Sequence, residues 1–291
     1  MRKYGKVNGK GNRKIKIHKT NTGVRMHIDK KPVIVAAKRT ACGKARKGSL
    51  RFLRPDSMMG AVIRDLMDQV PELSPEEVED VVVGCSFPEA TQGLNMARQA
   101  ALLGGLPESV PGVTVNRFCS SGLQTIAMAA ERIMAGGADV MIAGGAESMT
   151  QVPMGGISFQ PNPQLVQEQP GVYISMGITA ENVAERYGVT REDQDQFAVE
   201  SHQKAVNAWQ TGVFEEQITP LQVVTKRLRT DGSVSEKTQE FAQDEGPRSD
   251  TNMEALAKLR PVFKRNGTVT AGNASQMNDA AAGVMIMSAD R

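Results

Sequence analysis

From residue 32 onward the apolar positions change period repeatedly. Pro32-Val33-Ile34-Val35-Ala36-Ala37 is a short, nearly unbroken apolar run of the kind a buried strand uses. Met59, Val62, Ile63, Leu66, Met67 and Val70 then recur at helical spacing. Ser74-Pro75-Glu76-Glu77 offers an N-cap, a first-turn proline and a capping-box glutamate. Asp80 leads into the apolar strand Val81-Val82-Val83-Gly84, and Met96 to Leu103 reads as a helix closed by Gly104-Gly105. The strand Gly112-Val113-Thr114-Val115, a helix from Ser120 to about Met134 and the strand Val140-Met141-Ile142-Ala143 complete this stretch. Such alternation predicts an α/β fold, a parallel or mixed sheet covered by helices.

The pattern breaks after Thr150. Residues 151–173 hold Pro153, Pro161, Pro163 and Pro170 among glycines and glutamines, which suggests an ordered excursion from the core. A helix opens at Thr190, with Asp193 in the capping position, and runs to about Trp209. Residues 221–250 read as strands and polar loops, and Gly267 to Ser288 returns to small and apolar residues. One α/β domain interrupted by an inserted region accounts for this layout.

Charge adds one asymmetry. Residues 1–31 carry 11 Lys or Arg and one Asp, leaving 24 basic against 31 acidic residues in the rest of the 291. Nucleic-acid binding would rest on that leader alone, and the body does not support it. The leader reads as a disordered or non-native basic extension and is set aside from the fold. No apolar stretch is long enough to cross a bilayer, so no membrane partner is expected. Cys42, Cys85 and Cys119 fit neither a disulfide framework nor zinc-ligand spacing, so reduced thiols and a cytoplasmic setting are expected, with no metal. No Gly-rich phosphate loop follows a strand.

Val115-Asn116-Arg117-Phe118-Cys119-Ser120-Ser121-Gly122 is the most informative segment. Cys119 sits where a strand ends and a helical stripe (Leu123, Ile126, Ala127, Ala130, Ile133, Met134) begins. Free amides at a helix start favour an anion and can also donate to an oxyanion, so one turn can serve nucleophile and acceptor. A buried cysteine acting as a small hydrophobe is the competing reading of the spacing.

The segment Asn116-Arg117-Phe118-Cys119-Ser120-Ser121-Gly122-Leu123-Gln124 resembles the acyl-accepting cysteine motif of thiolases. Arg39-Thr40-Ala41-Cys42-Gly43-Lys44, Gln92-Gly93-Leu94-Asn95-Met96-Ala97-Arg98 and Gly144-Gly145-Ala146-Glu147-Ser148-Met149 resemble family segments in the expected order. So do Met176-Gly177-Ile178-Thr179-Ala180-Glu181-Asn182-Val183-Ala184, Arg260-Pro261-Val262-Phe263 and Gly267-Thr268-Val269-Thr270-Ala271-Gly272-Asn273-Ala274-Ser275. The resemblance covers essentially all of residues 32–291.

It implies a fold class of thiolase-like mixed sheet covered by helices, with residues 32–148 plus 278–291 as the N-terminal domain and 149–277 as an inserted loop domain. It implies cleavage of a 3-ketoacyl-CoA by a second CoA through an acyl group on Cys119, in fatty-acid β-oxidation. Coenzyme A is then a substrate, with no permanently bound cofactor. The positions Met176, Arg248, Phe263, Ala271 and Ser275 correspond to contacts along the CoA arm, Arg248 at the nucleotide end and Ser275 at the pantetheine amides. Ser175, where biosynthetic acetoacetyl-CoA thiolases tend to carry a histidine, leans the resemblance to the degradative branch; Ala255 stands where some members carry a serine.

The family also uses a histidine and a second cysteine from a C-terminal half, and neither motif occurs in these 291 residues. The expectation is therefore that the second domain is absent. The chain would then associate as a homodimer or tetramer, or with a separate C-terminal half, through the apolar faces left open. A catalytically incomplete fragment or non-catalytic subunit is the rival reading. His202, in register with Ala198, Ala205 and Trp209, reads as a packing histidine.

Overall fold

The computed structural model describes residues 30–291. The expectations for the basic leader fall almost wholly outside these residues. Among the described residues nine strands form: β1 (Pro32–Thr40), β2 (Gly43–Lys44), β3 (Asp80–Gly84), β4 (Gly112–Val115), β5 (Val140–Ser148), β6 (Ile218–Thr219), β7 (Leu221–Leu228), β8 (Val234–Phe241) and β9 (Asn278–Ser288). The helices are α1 (Pro55–Asp68), α2 (Met96–Leu103), α3 (Ser121–Met134), α4 (Pro163–Glu168), α5 (Met176–Tyr187), α6 (Arg191–Gln210) and α7 (Met253–Ala257).

Seven strands build one mixed sheet in the order β4-β3-β5-β9-β1-β6, with β2 added on β9. β3 runs parallel to both β4 and β5, which carries the C-terminal ends of all three to the same edge. β9 returns from the far end of the chain and inserts antiparallel between β5 and β1. Period-2 alternation along β3 explains the two layers. Val81 and Val83 join the core beneath α1 and α2, together with Met59, Val62, Ile63 and Ala97. Val82 faces the other way, into the smaller cluster under α3 with Ala129, Ile133, Met141 and Ile286. A side chain such as Ile133, fully removed from water, contributes about 1.5–3 kcal/mol, so α3 is held by its apolar stripe and not by helix propensity.

The excursion from 149 to 277 carries α4 to α7 and the hairpin β7–β8, and touches the sheet at defined points. β6 pairs with β1 at Arg39–Ile218 and Thr40–Thr219. Leu221, Val223 and Phe241 of the hairpin are buried in the larger core. Asp244 accepts both arms of Arg39 (2.8 and 3.1 Å), the Cys42 amide (2.7 Å) and the Trp209 indole N–H (3.2 Å). A bidentate, partly buried pair of this kind is worth more than a surface ion pair, and it pins the excursion to β1.

Candidate active site

β4 ends at Val115, and the chain reaches α3 through a turn held on both sides. Asn116 Oδ1 accepts the Phe118 amide at 2.9 Å, and Ser121 Oγ donates to the Phe118 carbonyl at 2.6 Å while accepting the Arg117 amide at 2.8 Å. These bonds keep Phe118 at φ 45°, a region that non-glycine residues seldom occupy. Cys119 comes next, exposed, one residue ahead of the Ser120 N-cap. Among the described residues the amides of Gly122 and Leu123, in the first turn of α3, have no hydrogen-bond partner. The structure thus brings a free thiol and unpaired helix-start donors together at one turn.

The turn rests against the end of β3. A Cβ on Gly84 would stand 2.6 Å from the backbone of Ser121, so only glycine lets α3 start this close to the sheet. The amide of Cys85 donates to the Val115 carbonyl at 3.0 Å, and Asn116 Nδ2 donates to the Ser86 carbonyl at 2.9 Å. Beside α3 a groove of about 430 Å3 opens on the uncovered part of the sheet. It runs from Arg39 and Gln217 past Val284 and Gly145 to Ile126 and Gly122, one turn from the thiol.

The other two cysteines are placed differently. Cys85 is buried. Burial pushes its thiol up to about 12, with the carboxylate of Glu147 adding to the effect. Burial also raises the Cys42 thiol, and Asp244 adds to that rise. His202 accepts the Arg248 amide on Nδ1 at 3.1 Å, and burial first, then the Arg248 charge, lowers its pKa. It ties a loop to α6. His18 and His27 lie outside the described residues.

The five positions matched to a CoA arm all lie in the excursion. Met176 opens α5 and is 56% exposed. The Phe263 ring covers the next residue so closely that a Cβ on Gly177 would lie 2.1 Å from it. Pro261 and Thr270 bridge, which sets Ala271 on the same small loop. That loop is held by Glu181: burial alone would raise its carboxyl, but the amides of Thr268 and Val269 outweigh it and hold the group below its ordinary value. Ser275 is exposed beside Gln276, whose side chain donates to the Gly246 carbonyl at 3.1 Å, two residues from Arg248. Arg248 itself is exposed and forks onto Asp250 at 3.0 and 2.6 Å. Phe263 thus packs on the first turn of α5 that Met176 opens, while Ser275 and Arg248 are linked only through the bond of Gln276 to Gly246.

Sequence reasoning passed over Glu147 and Gln92 except as members of longer matched segments. Gln92 is fully buried, and its amide donates to Glu147 Oε1 at 2.6 Å and to the Phe87 carbonyl at 2.8 Å. A glutamine in a polar-looking loop gives no signal of burial, since its partners are brought in by the sheet.

A mixed sheet that lifts one free cysteine on a turn ahead of a helix defines a class of α/β proteins that present a thiol at a strand-to-helix junction. Residues 32–290 match the family described as thiolase, N-terminal domain, and the chain belongs to the thiolase family. It is 50% identical over 262 residues to the 3-ketoacyl-CoA thiolase of Bacillus subtilis, a match that takes in 90% of this chain and 67% of that protein. It is 44% identical to the peroxisomal 3-ketoacyl-CoA thiolase 1 of Arabidopsis thaliana over 88% of this chain and 57% of that one. The crystal structure of the Bacillus anthracis acetyl-CoA acetyltransferase superposes with a TM-score of 0.75 at 36% identity, covering 90% of this chain and 66% of the other. The chain thus spans between about half and two thirds of the length of these relatives. No helix among the described residues is long and apolar enough to cross a membrane.

Proposed function

We propose that this chain carries the nucleophile of a degradative 3-ketoacyl-CoA thiolase. The observation that supports it is Cys119, exposed on a braced turn with the unpaired amides of Gly122 and Leu123 at the helix start behind it. In the reaction the Cys119 sulfur attacks the 3-keto carbon of the substrate and the C2–C3 bond breaks. The departing electron pair becomes the enolate of acetyl-CoA, which takes a proton at carbon. The sulfur of a second CoA then attacks the acyl-cysteine, the bond to Cys119 breaks, and a shortened acyl-CoA leaves. The developing oxyanion at the attacked carbonyl is met by preset amide donors, the interaction that supplies most in acyl transfer.

Met176, Phe263 and Ala271 line one part of the path for the CoA arm in this reading, with Ser275 toward the pantetheine and Arg248 at the nucleotide end. The name of the Bacillus subtilis relative and Ser175 favour the degradative branch, and β-oxidation with it. Relatives named acetyl-CoA acetyltransferase keep the biosynthetic branch as the second reading. Three free cysteines favour a reducing, cytoplasmic compartment.

The proton transfers need a base that the described residues do not bring to Cys119, since their one histidine, His202, is engaged with Arg248. The part of the family's length that these residues do not span supplies it in this proposal. Ile34 and Val35 of β1 and Leu123 of α3 are exposed, and the groove beside α3 is open to receive a partner, whether that part or a second copy. The test is CoA-dependent loss of a medium-chain 3-ketoacyl-CoA by the chain mixed with the C-terminal third of the Bacillus subtilis relative. The expected result is turnover that Cys119→Ser reduces by about a thousandfold or more. Turnover untouched by that substitution would overturn the assignment, and inactivity of every mixture would favour a non-catalytic subunit.

A further inference from the structure

Glu147 closes β5 in a setting that stability alone does not explain. Its carboxylate is half-buried, and among the described residues no lysine, arginine or histidine pairs with it. It is held by neutral donors only. Oε2 accepts the Ser86 amide at 2.6 Å, Oε1 accepts the buried Gln92 amide at 2.6 Å, and the Cys85 sulfur lies 3.7 Å away. A charge withdrawn from water without a counter-charge is costly, and every group that faces it is a donor.

What this carboxylate holds is the floor of the Cys119 turn. Ser86, fixed through its amide by Glu147, offers its carbonyl to Asn116 Nδ2. Asn116 in turn accepts the Phe118 amide, and Phe118 is the residue at positive φ directly before the nucleophile. Gln92 adds a second tie by donating to the Phe87 carbonyl, and the Phe87 ring sits 6.2 Å from that of Phe118. An unbroken run of hydrogen bonds therefore leads from the end of β5, across the end of β3, to the backbone that aims Cys119.

Resting on the thiolase reading above, we propose that Glu147 and Asn116 are positioning residues for acyl transfer, Glu147 anchoring the Ser86–Phe87 shelf and Asn116 clasping the Phe118–Cys119 turn to it. Neither touches the acyl group. Their work is to keep the sulfur and the neighbouring amides in one geometry, and a misplacement on the order of 1 Å in such a site costs about a hundredfold in rate. Glu147→Gln keeps the shape but sets an NH2 against a donor, whichever way the amide turns. Asn116→Asp keeps the acceptor for Phe118 and loses the tie to Ser86; Asn116→Ala loses both.

Two rates on the chain mixed with the C-terminal third of the Bacillus subtilis relative test this, both read at Cys119 by peptide mass: acylation by hexanoyl-CoA and alkylation by iodoacetamide. Acylation breaks the thioester C–S bond of the CoA, forms one to Cys119 and leaves the proton with the CoA thiol, so it needs aligned donors. Alkylation needs an exposed, ionised thiol but no donor to a carbonyl oxyanion. The expected result is that the ratio of acylation to alkylation falls about tenfold or more in Glu147→Gln and Asn116→Ala and by less in Asn116→Asp. An unchanged ratio, even with a lowered melting temperature, would reduce both residues to ordinary structural roles and overturn the proposal. If the unsubstituted chain takes no acyl group, the thiolase reading fails separately, and amide hydrogen exchange over residues 115–121 decides the positioning. Faster exchange there in Glu147→Gln and Asn116→Ala, but not in the exposed control Lys258→Ala, upholds it; unchanged exchange overturns it.

Discussion

Three cysteines with the same side chain meet three environments, and the differences are set by burial and nearby carboxylates. Cys119 is exposed, Cys42 is partly covered beside Asp244, and Cys85 is buried against Glu147 with its thiol pushed up to about 12. Iodoacetamide at pH 8 should therefore modify Cys119 first, Cys42 more slowly, and Cys85 only after unfolding, as read by peptide mass over a time course. Rapid labelling of Cys85 in the folded chain would contradict the burial described. At this scale the sequence was partly legible. The strand-to-helix position of Cys119 follows from the β-branched run and the helical stripe around it. The braces do not: Glu147 and Gln92 come from two other places in the chain than the Asn116–Ser121 turn, and only the sheet brings them to it.

The elements that carry the site were the easiest to read. Gly112–Val115 and Met96–Leu103 appear as their patterns indicate, and α3 begins one residue after the expected start. Ser74-Pro75-Glu76-Glu77 does form a capping box, yet the box opens only a single 3-10 turn, Pro75–Glu77. The chain has to enter β3 at Asp80, which leaves no room for a helix. β6 has two residues and no periodicity to detect, because its pairing with β1 is decided by the excursion packing against Arg39. Contact between elements also makes a sharp prediction. Gly84→Ala would force a Cβ to within 2.6 Å of Ser121, in a buried seam where neither strand nor helix can yield cheaply. Overpacking of this kind costs roughly 1–3 kcal/mol, to be measured by urea unfolding, and the displaced α3 start should also slow reaction at Cys119. A neutral substitution would show that the seam is looser than it is described.

At the scale of the whole molecule, strand order is what sequence periodicity cannot supply. β9 lies between β5 and β1 although more than a hundred residues separate it from either, and its register with both strands closes the sheet around the excursion. The resemblance of the motif segments implied that return near residue 278; the alternation of apolar positions alone did not. The sheet and α3 then place Cys119 at the common C-terminal edge of β3, β4 and β5, next to an open groove. Family membership and this placement meet in one claim, that Cys119 accepts an acyl group from a CoA thioester. The measurement that reaches it most directly is mass analysis of the chain after incubation with hexanoyl-CoA in the presence of the C-terminal third of the Bacillus subtilis relative, with the peptide covering residues 112–134 isolated at acidic pH. One hexanoyl group on Cys119, absent from Cys119→Ser and reversed by added CoA, is the predicted result. An acyl group on Cys42, on a lysine or on no residue would contradict the account.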